Sequence, residues 1–195
     1  MAKEPLRKAI KEHEIDLTYT RGFQEVLQGV QSYIAAAIIS AAMVEKALLT
    51  LLSKYLRHCK ESDALFEIGG DLDGFSKCIR MAYCLGLIPN SLKRNLQTIA
   101  KVRNTFAHSD RTIDFSDNKI VALCMSGFVL PKGFTNMPKE LEIGLQNASG
   151  PHPDKQDEVA GQYVGFCLLA FMALSITSGL TKPVEEFKNP AVFWD

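Results

Sequence analysis

The residues best equipped for chemistry lie close together, in the stretch TIAKVRNTFAHSD at 98–110. Leu92, Leu96, Ile99, Arg103 and Phe106 step along the chain by 4, 3, 4 and 3, the spacing of one helical stripe. Arg103 therefore falls on the apolar side of its helix. Asn104 and His108 are four apart and share a neighbouring face, at the point where Ser109-Asp110 should end the helix. Imidazole can move the 2′-hydroxyl proton of RNA, and a guanidinium can steady charge building on phosphorus, so this is equipment for phosphodiester cleavage. The same side chains also have purely structural uses. Arg103 can tie two helices together, Asn104 can cap backbone, and His108 can sit favourably at a helix C-terminus.

A guanidinium on an apolar face needs a carboxylate, because leaving it buried and unpaired costs several kcal/mol. Glu45 is the candidate. It sits among Ala41, Leu48 and Leu52 on the stripe of a helix whose other charges lie nearer its ends. Two misplaced charges of opposite sign imply a pair, so Glu45 and Arg103 are expected to meet across packed helices. Together with Asn104 and His108 they form the candidate site, and the residues name no metal or cofactor for it.

The elements that position these residues read as helices. The segment 21–59 places Phe23, Val26, Leu27, Val30, Ile34, Ala37, Ile38, Ala41, Val44, Leu48, Leu52 and Leu56 at helical spacing. Its length, about ten turns, suggests a break near Gly29 or Ser32. HCKESDALFEIGGDLDG reads as a polar connection. GFSKCIRMAYCL is a short helix stopped by Gly86, and Asn90 or Ser91 is expected to cap the next helix, SLKRNLQTIAKVRNTFAH. The segment 115–130 is a helix capped by Ser116 or Asp117, with strand as the alternative toward Gly127-Phe128-Val129-Leu130. Residues 131–156, rich in proline and glycine, read as a surface loop.

From Val159 to Leu180 there are 22 residues without a charge, long enough to span a bilayer. Gln162, three glycines, Ser175, Thr177 and Ser178, with no basic cluster on either flank, point instead to a buried core helix. The expected fold is therefore all-α: a single-domain helical bundle over 1–195, with core 20–130 plus 157–181, one long central helix and an apolar C-terminal helix.

Twenty-two basic residues balance twenty-two acidic ones. Zero net charge does not support a protein that holds nucleic acid by bulk electrostatics. Five cysteines without a C-x-x-C pair, four of them in apolar runs, suggest buried thiols, a reducing cytoplasmic setting and no zinc site. The charged N-terminus lacks the apolar core of a signal peptide. His13, His58 and His152 stand among polar neighbours and read as surface residues. No G-x-S-x-G, phosphate loop or dinucleotide fingerprint is present.

Two resemblances follow from these residues. Arg103-Asn104 with His108 resembles the R-x4-H motif of the HEPN superfamily, in which an upstream acidic residue, here Glu45, commonly accompanies the motif. That resemblance implies a metal-independent endoribonuclease working as a dimer. A wider one covers about 34–125. AAAIISAAMVEKALLTLL, LFEIGGDLDGFSKCIRMAYCLGLI and LQTIAKVRNTFAH resemble, in order and spacing, the mannitol-operon repressor (MltR/MtlR) family. It implies an all-helical, non-enzymatic transcriptional regulator acting through a protein partner rather than by reading bases. No exposed basic recognition helix, zinc finger or basic arm is evident in the sequence. A homodimer is expected, and a sensor of nucleotides or small metabolites near Glu45 is a third reading.

Overall fold

Ser32 starts the first helix: its backbone is extended, and its hydroxyl accepts from the Ala35 N–H. The structure, a computed structural model, describes residues 32–109, 113–129 and 155–182. It is an all-helical bundle of α1 (Tyr33–Tyr55), α2 (Lys60–Phe66), α3 (Phe75–Cys84), α4 (Asn90–Ala107), α5 (Asn118–Gly127) and α6 (Lys155–Leu180), with no strand among the described residues. The expected break at Ser32 coincides with the N-cap of α1. The part of the expected helix before Ser32 lies outside the described residues, as does most of the expected loop at 131–156.

The first and last helices run side by side in the same direction. Tyr33 donates to the Asp157 carboxylate at one end, and Lys54 Nζ donates to the Ser178 carbonyl at 2.6 Å at the other. Between them Tyr163 donates to the Ala37 carbonyl at 3.2 Å. Ala37, Ala41, Val44, Leu48, Leu51 and Leu52 form the buried stripe of α1, and the alanines admit the neighbouring backbone closely. Ile38, expected on that stripe, is instead 37% exposed. It follows Ala37 by one position, about 100° round the helix, while α6 occupies the Ala37 side.

Both α1 and the 156–180 part of α6 are long and apolar enough to cross a membrane by length and composition. Half of the most apolar window of α6 is buried in the bundle, including Tyr163, Cys167 and Leu174 at 0% exposure. Gly165, Phe166, Cys167 and Leu168, a full helical turn, are all buried, and Val164, Leu169, Phe171 and Met172 are half-buried and pack against the core.

Helices α3 to α5 return the chain between these two. α2 was legible only as a polar connection, because it has no fully buried residue, only Leu65 and Phe66 half-buried against the core. It is held by its N-terminus: Ser62 Oγ accepts from Cys59 N and donates to Cys59 O, and Glu61 and Asp63 sit in its first turn. Gly86, with φ of +72°, ends α3 as expected. Leu87 N–H reaches Ala82 O and Gly86 N–H reaches Tyr83 O, both at 3.0 Å. Neither Asn90 nor Ser91 caps α4. The extended Pro89 takes the N-cap position, and Asn90 is the first helical residue.

Asp117 rather than Ser116 caps α5, its carboxylate accepting from Lys119 N. The strand alternative fails, and the reason is local. After Gly127 the chain is extended, but the backbone of Val129 pairs with a side chain: Asn95 donates to Val129 O and accepts from Val129 N, each at 2.8 Å. Gly127 is required there, since a Cβ would meet Thr98 Cγ2 at 2.7 Å. An aromatic chain closes this side of the core. Phe115 lies between Phe106 and Tyr163 at centroid distances of 4.9 and 5.7 Å, and Phe128 stacks on Phe166 at 4.1 Å.

Three of the five cysteines are buried, Cys78, Cys124 and Cys167; Cys59 is half-buried, and Cys84, expected in the core, is exposed at the end of α3. Burial pushes the Cys124 and Cys167 thiols up to about 12. Burial, then the charge of Glu45, raises Cys78 to about 11. At neutral pH these three stay protonated and covered, and the thiolate is the reactive form. Ellman's reagent at about pH 8 is therefore expected to label Cys84 first and Cys59 more slowly. The other three should react only after denaturation, and rapid reaction of all five in the native protein would contradict this packing.

Candidate functional site

Glu45 sits midway along α1, and Arg103 just before the last turn of α4. Their side chains meet: Arg103 Nη2 lies 2.9 Å from Glu45 Oε2. The expected pair is thus present, but its setting differs from expectation. The two side chains are 28% and 25% exposed, so the guanidinium lies at the rim of the core rather than inside it. The reason is visible in the helix geometry: positions 99 and 106 point straight into the bundle, and Arg103 lets its long aliphatic stem lie along the apolar surface while the head reaches the edge.

Asn104 and His108 are exposed on the adjoining face. His108 occupies the C-cap of α4, its N–H donating to Asn104 O at 3.0 Å. It forms part of a ridge with an open groove on each side. One groove, about 380 Å³, runs between the start of α3 and the end of α4 and is lined by Gly74, Ser76, Lys77, Arg103, Asn104 and His108. The other, of equal volume, is bounded by Asn104, Thr105, His108, Ile113, Asp117 and Lys119. Arg103, Asn104 and His108 therefore share one solvent-facing groove.

Sequence reasoning missed the opposite wall of that groove. Gly74 precedes α3 with φ of +112° and offers no capping side chain; it lines the groove together with Ser76 and Lys77 of the first turn. The signal was the isolated glycine before Phe75, read only as part of a polar connection. Lys77 Nζ is drawn to Gly70 O at 3.1 Å. Asp73, also at the groove, receives the Gly69 N–H on its carboxylate at 2.9 Å. Among the described residues no group of three His, Cys, Asp or Glu could hold a metal ion. Hydrogen bonding and charge are what this site offers.

No family model matches the sequence, and no curated protein matches it. Among solved structures the fold is similar to a chain in the "X-ray structure of the MtlR-HPr complex from Escherichia coli". The TM-score is 0.57 at 16% sequence identity, over 81% of this chain and 99% of that one. At such low identity the likeness is one of fold. It agrees with the sequence resemblance to the mannitol-operon regulators at that level, and the comparisons give the HEPN resemblance no support.

The rim setting fixes what the ion pair contributes. Exposed pairs are typically worth under about 1 kcal/mol, whereas breaking a buried one costs about 3–5 kcal/mol. Glu45→Ala and Arg103→Ala are each expected to lower stability by about 1 kcal/mol, partly through lost stem packing for the arginine. The coupling energy in the double-mutant cycle, from urea unfolding, should stay below about 1 kcal/mol and shrink with salt. A coupling of about 3 kcal/mol or more would show the pair to be buried after all.

Proposed function

We propose that this chain is a non-enzymatic regulator of transcription of the mannitol-operon repressor kind, a helical module that acts through a protein partner. The observation that carries the reading is the likeness of fold to a chain from the MtlR-HPr complex, which extends over nearly the whole of that chain. The sequence phrases FSKCIRMAYCLGLI and IAKVRNTFAH, which lie in α3 and α4 and the turn after α3, add the sequence resemblance to it. In this reading the Glu45–Arg103 pair holds α4 against α1, and the partner is a small protein of the HPr type. The protein works in the cytoplasm. A homodimer belongs to the same reading.

Sedimentation velocity of the chain alone, then with HPr from the same organism, tests both statements. A dimer that gains mass on addition of HPr is the expected result. A chain that sediments unchanged with HPr in excess removes HPr as the partner.

A second reading has its own observation. Arg103, Asn104 and His108 line one open groove, the arrangement a HEPN-like endoribonuclease would need. In that reading Glu45 orients the arginine. Incubation of purified protein with RNA decides the matter. The regulator reading expects no cleavage, and metal-independent cleavage abolished by His108→Ala would establish the nuclease instead.

A further inference from the structure

The chain is neutral, yet its charges are segregated. Between Asp73 and Asp110 lies no acidic residue at all, while the same stretch carries six of the 22 Lys and Arg. These residues are α3, its turn and α4, so the acid-free segment is one continuous helical hairpin. Lys77, Arg80, Arg94 and Lys101 are exposed; Lys93 is half-buried with its ammonium 3.9 Å above the centre of the Tyr83 ring. Of the six basic side chains only Arg103 forms an ion pair with a described residue.

The exposed residues are also in line. On α4 and its C-cap the exposed polar residues are Asn90, Arg94, Gln97, Lys101, Asn104 and His108, with steps of 4, 3, 4, 3 and 4; Ala107 is also exposed, off this stripe. That spacing makes a single stripe about 27 Å long at 1.5 Å per residue. On α3 the exposed Lys77, Arg80 and Tyr83 step by three along the packed neighbour. Every polar group in this set can donate a hydrogen bond, and none is an anion at neutral pH.

We propose that the outer face of the α3–α4 hairpin is a docking surface for the phosphodiester backbone of a nucleic acid. Two considerations choose that partner over an acidic protein. Protein interfaces are depleted in lysine and centre on buried aromatic or aliphatic anchors, whereas this face is lysine-bearing and has Tyr83 as its one exposed large apolar side chain. Surfaces for nucleic acid are polar and cationic, and Arg, Lys, Asn, Gln and Ser are the usual donors to phosphate oxygens. A stripe about 27 Å long spans most of one turn of duplex, which rises about 34 Å.

Overall neutrality does not cancel this face. Charges are screened beyond about 8–10 Å at moderate salt. A strand on α4 therefore meets the hairpin first, although Asp73 and Asp117 line the grooves beside Asn104 and His108. Asp71 and Asp73 adjoin the Lys77 end, which places the strongest contact toward Arg80, Arg94 and Lys101. The face holds the backbone without reading bases. It is independent of the protein-partner reading and survives if HPr does not bind.

The test is fluorescence anisotropy with a labelled duplex DNA of about 20 base pairs and a single-stranded RNA of similar length, across a salt series. Wild-type protein is expected to bind at least one of them at about 50 mM salt, and the arm that binds identifies the source of the phosphates. Arg94→Glu with Lys101→Glu should weaken binding about tenfold or more and flatten the log–log salt slope by about 2. Lys46→Glu with Lys60→Glu, the same charge change at exposed positions off the hairpin, should alter affinity by less than about twofold. If circular dichroism shows the reversal variant misfolded, Arg94→Gln with Lys101→Gln is read in its place. Three results overturn the proposal: no binding of either nucleic acid, an equal loss in the control variant, or poly-glutamate bound as tightly as nucleic acid.

Discussion

The fold depends on laying the first and last described helices side by side in the same direction. Their contacts keep a nearly constant offset along the chain, from Tyr33 with Asp157, through Ala37 with Tyr163, to Lys54 with Ser178. Parallel helices cannot be joined by a short turn, so the chain between them must climb back the length of the pair. Helices α2 to α5 make that return, and α4 carries most of it as a buried strut whose Leu96, Ile99 and Val102 are fully enclosed. Aligned macrodipoles repel slightly, which is a small cost beside the apolar area that α1 and α6 bury against each other. Capping and side-chain bonds to backbone, such as Tyr163 to Ala37, then set the register.

That arrangement explains the position of the charged pair. α4 packs against α1, and before its last turn Arg103 reaches Glu45 at the middle of α1, with water still in contact. At such a rim the desolvation cost is modest and so is the gain. The pair ties α4 to α1, and α4 stops one turn later, at Ala107. The exposed His108 ridge and its grooves follow from the same stop, because the chain leaves the helix at Ser109 just where the N-terminus of α3 approaches.

Helix class and the Glu45–Arg103 contact were legible in the sequence because both rest on periodicity. An apolar residue every three or four positions defines a face, and a charge on that face needs a counterpart. Depth was not legible. The stripe spacing of Leu96, Ile99, Arg103 and Phe106 says which side Arg103 takes, but not that the neighbouring helix thins out by that turn. Local stabilisation without full burial was equally hidden, so α2, held by Ser62 and its acidic first turn, looked like a connection. Phe128 and Val129 looked like a strand because extended backbone and apolar residues were read correctly. Their partner, the Asn95 amide, is a side chain and leaves no period.

Net charge misleads in the same way, since it is a sum without a map. A value of zero is compatible with even mixing or with complete segregation, and the two have opposite consequences for polyanions. Evenly mixed charges neutralise one another within a screening length. Here a run of 36 residues, 74–109, lacks carboxylates, and folding places that run on adjacent helices rather than scattering it. Lys77, Arg80, Lys93, Arg94 and Lys101, which form no ion pair among the described residues, repel each other, a tension that solvent screens but does not remove. Folding tolerates it because the inner faces of α3 and α4 bury Phe75, Ile79, Leu92, Leu96 and Ile99, and hydrophobic burial of that size outweighs screened surface repulsion. The cationic face thus contributes nothing to stability where it stands. A partner bearing phosphates is what would turn that repulsion into attraction.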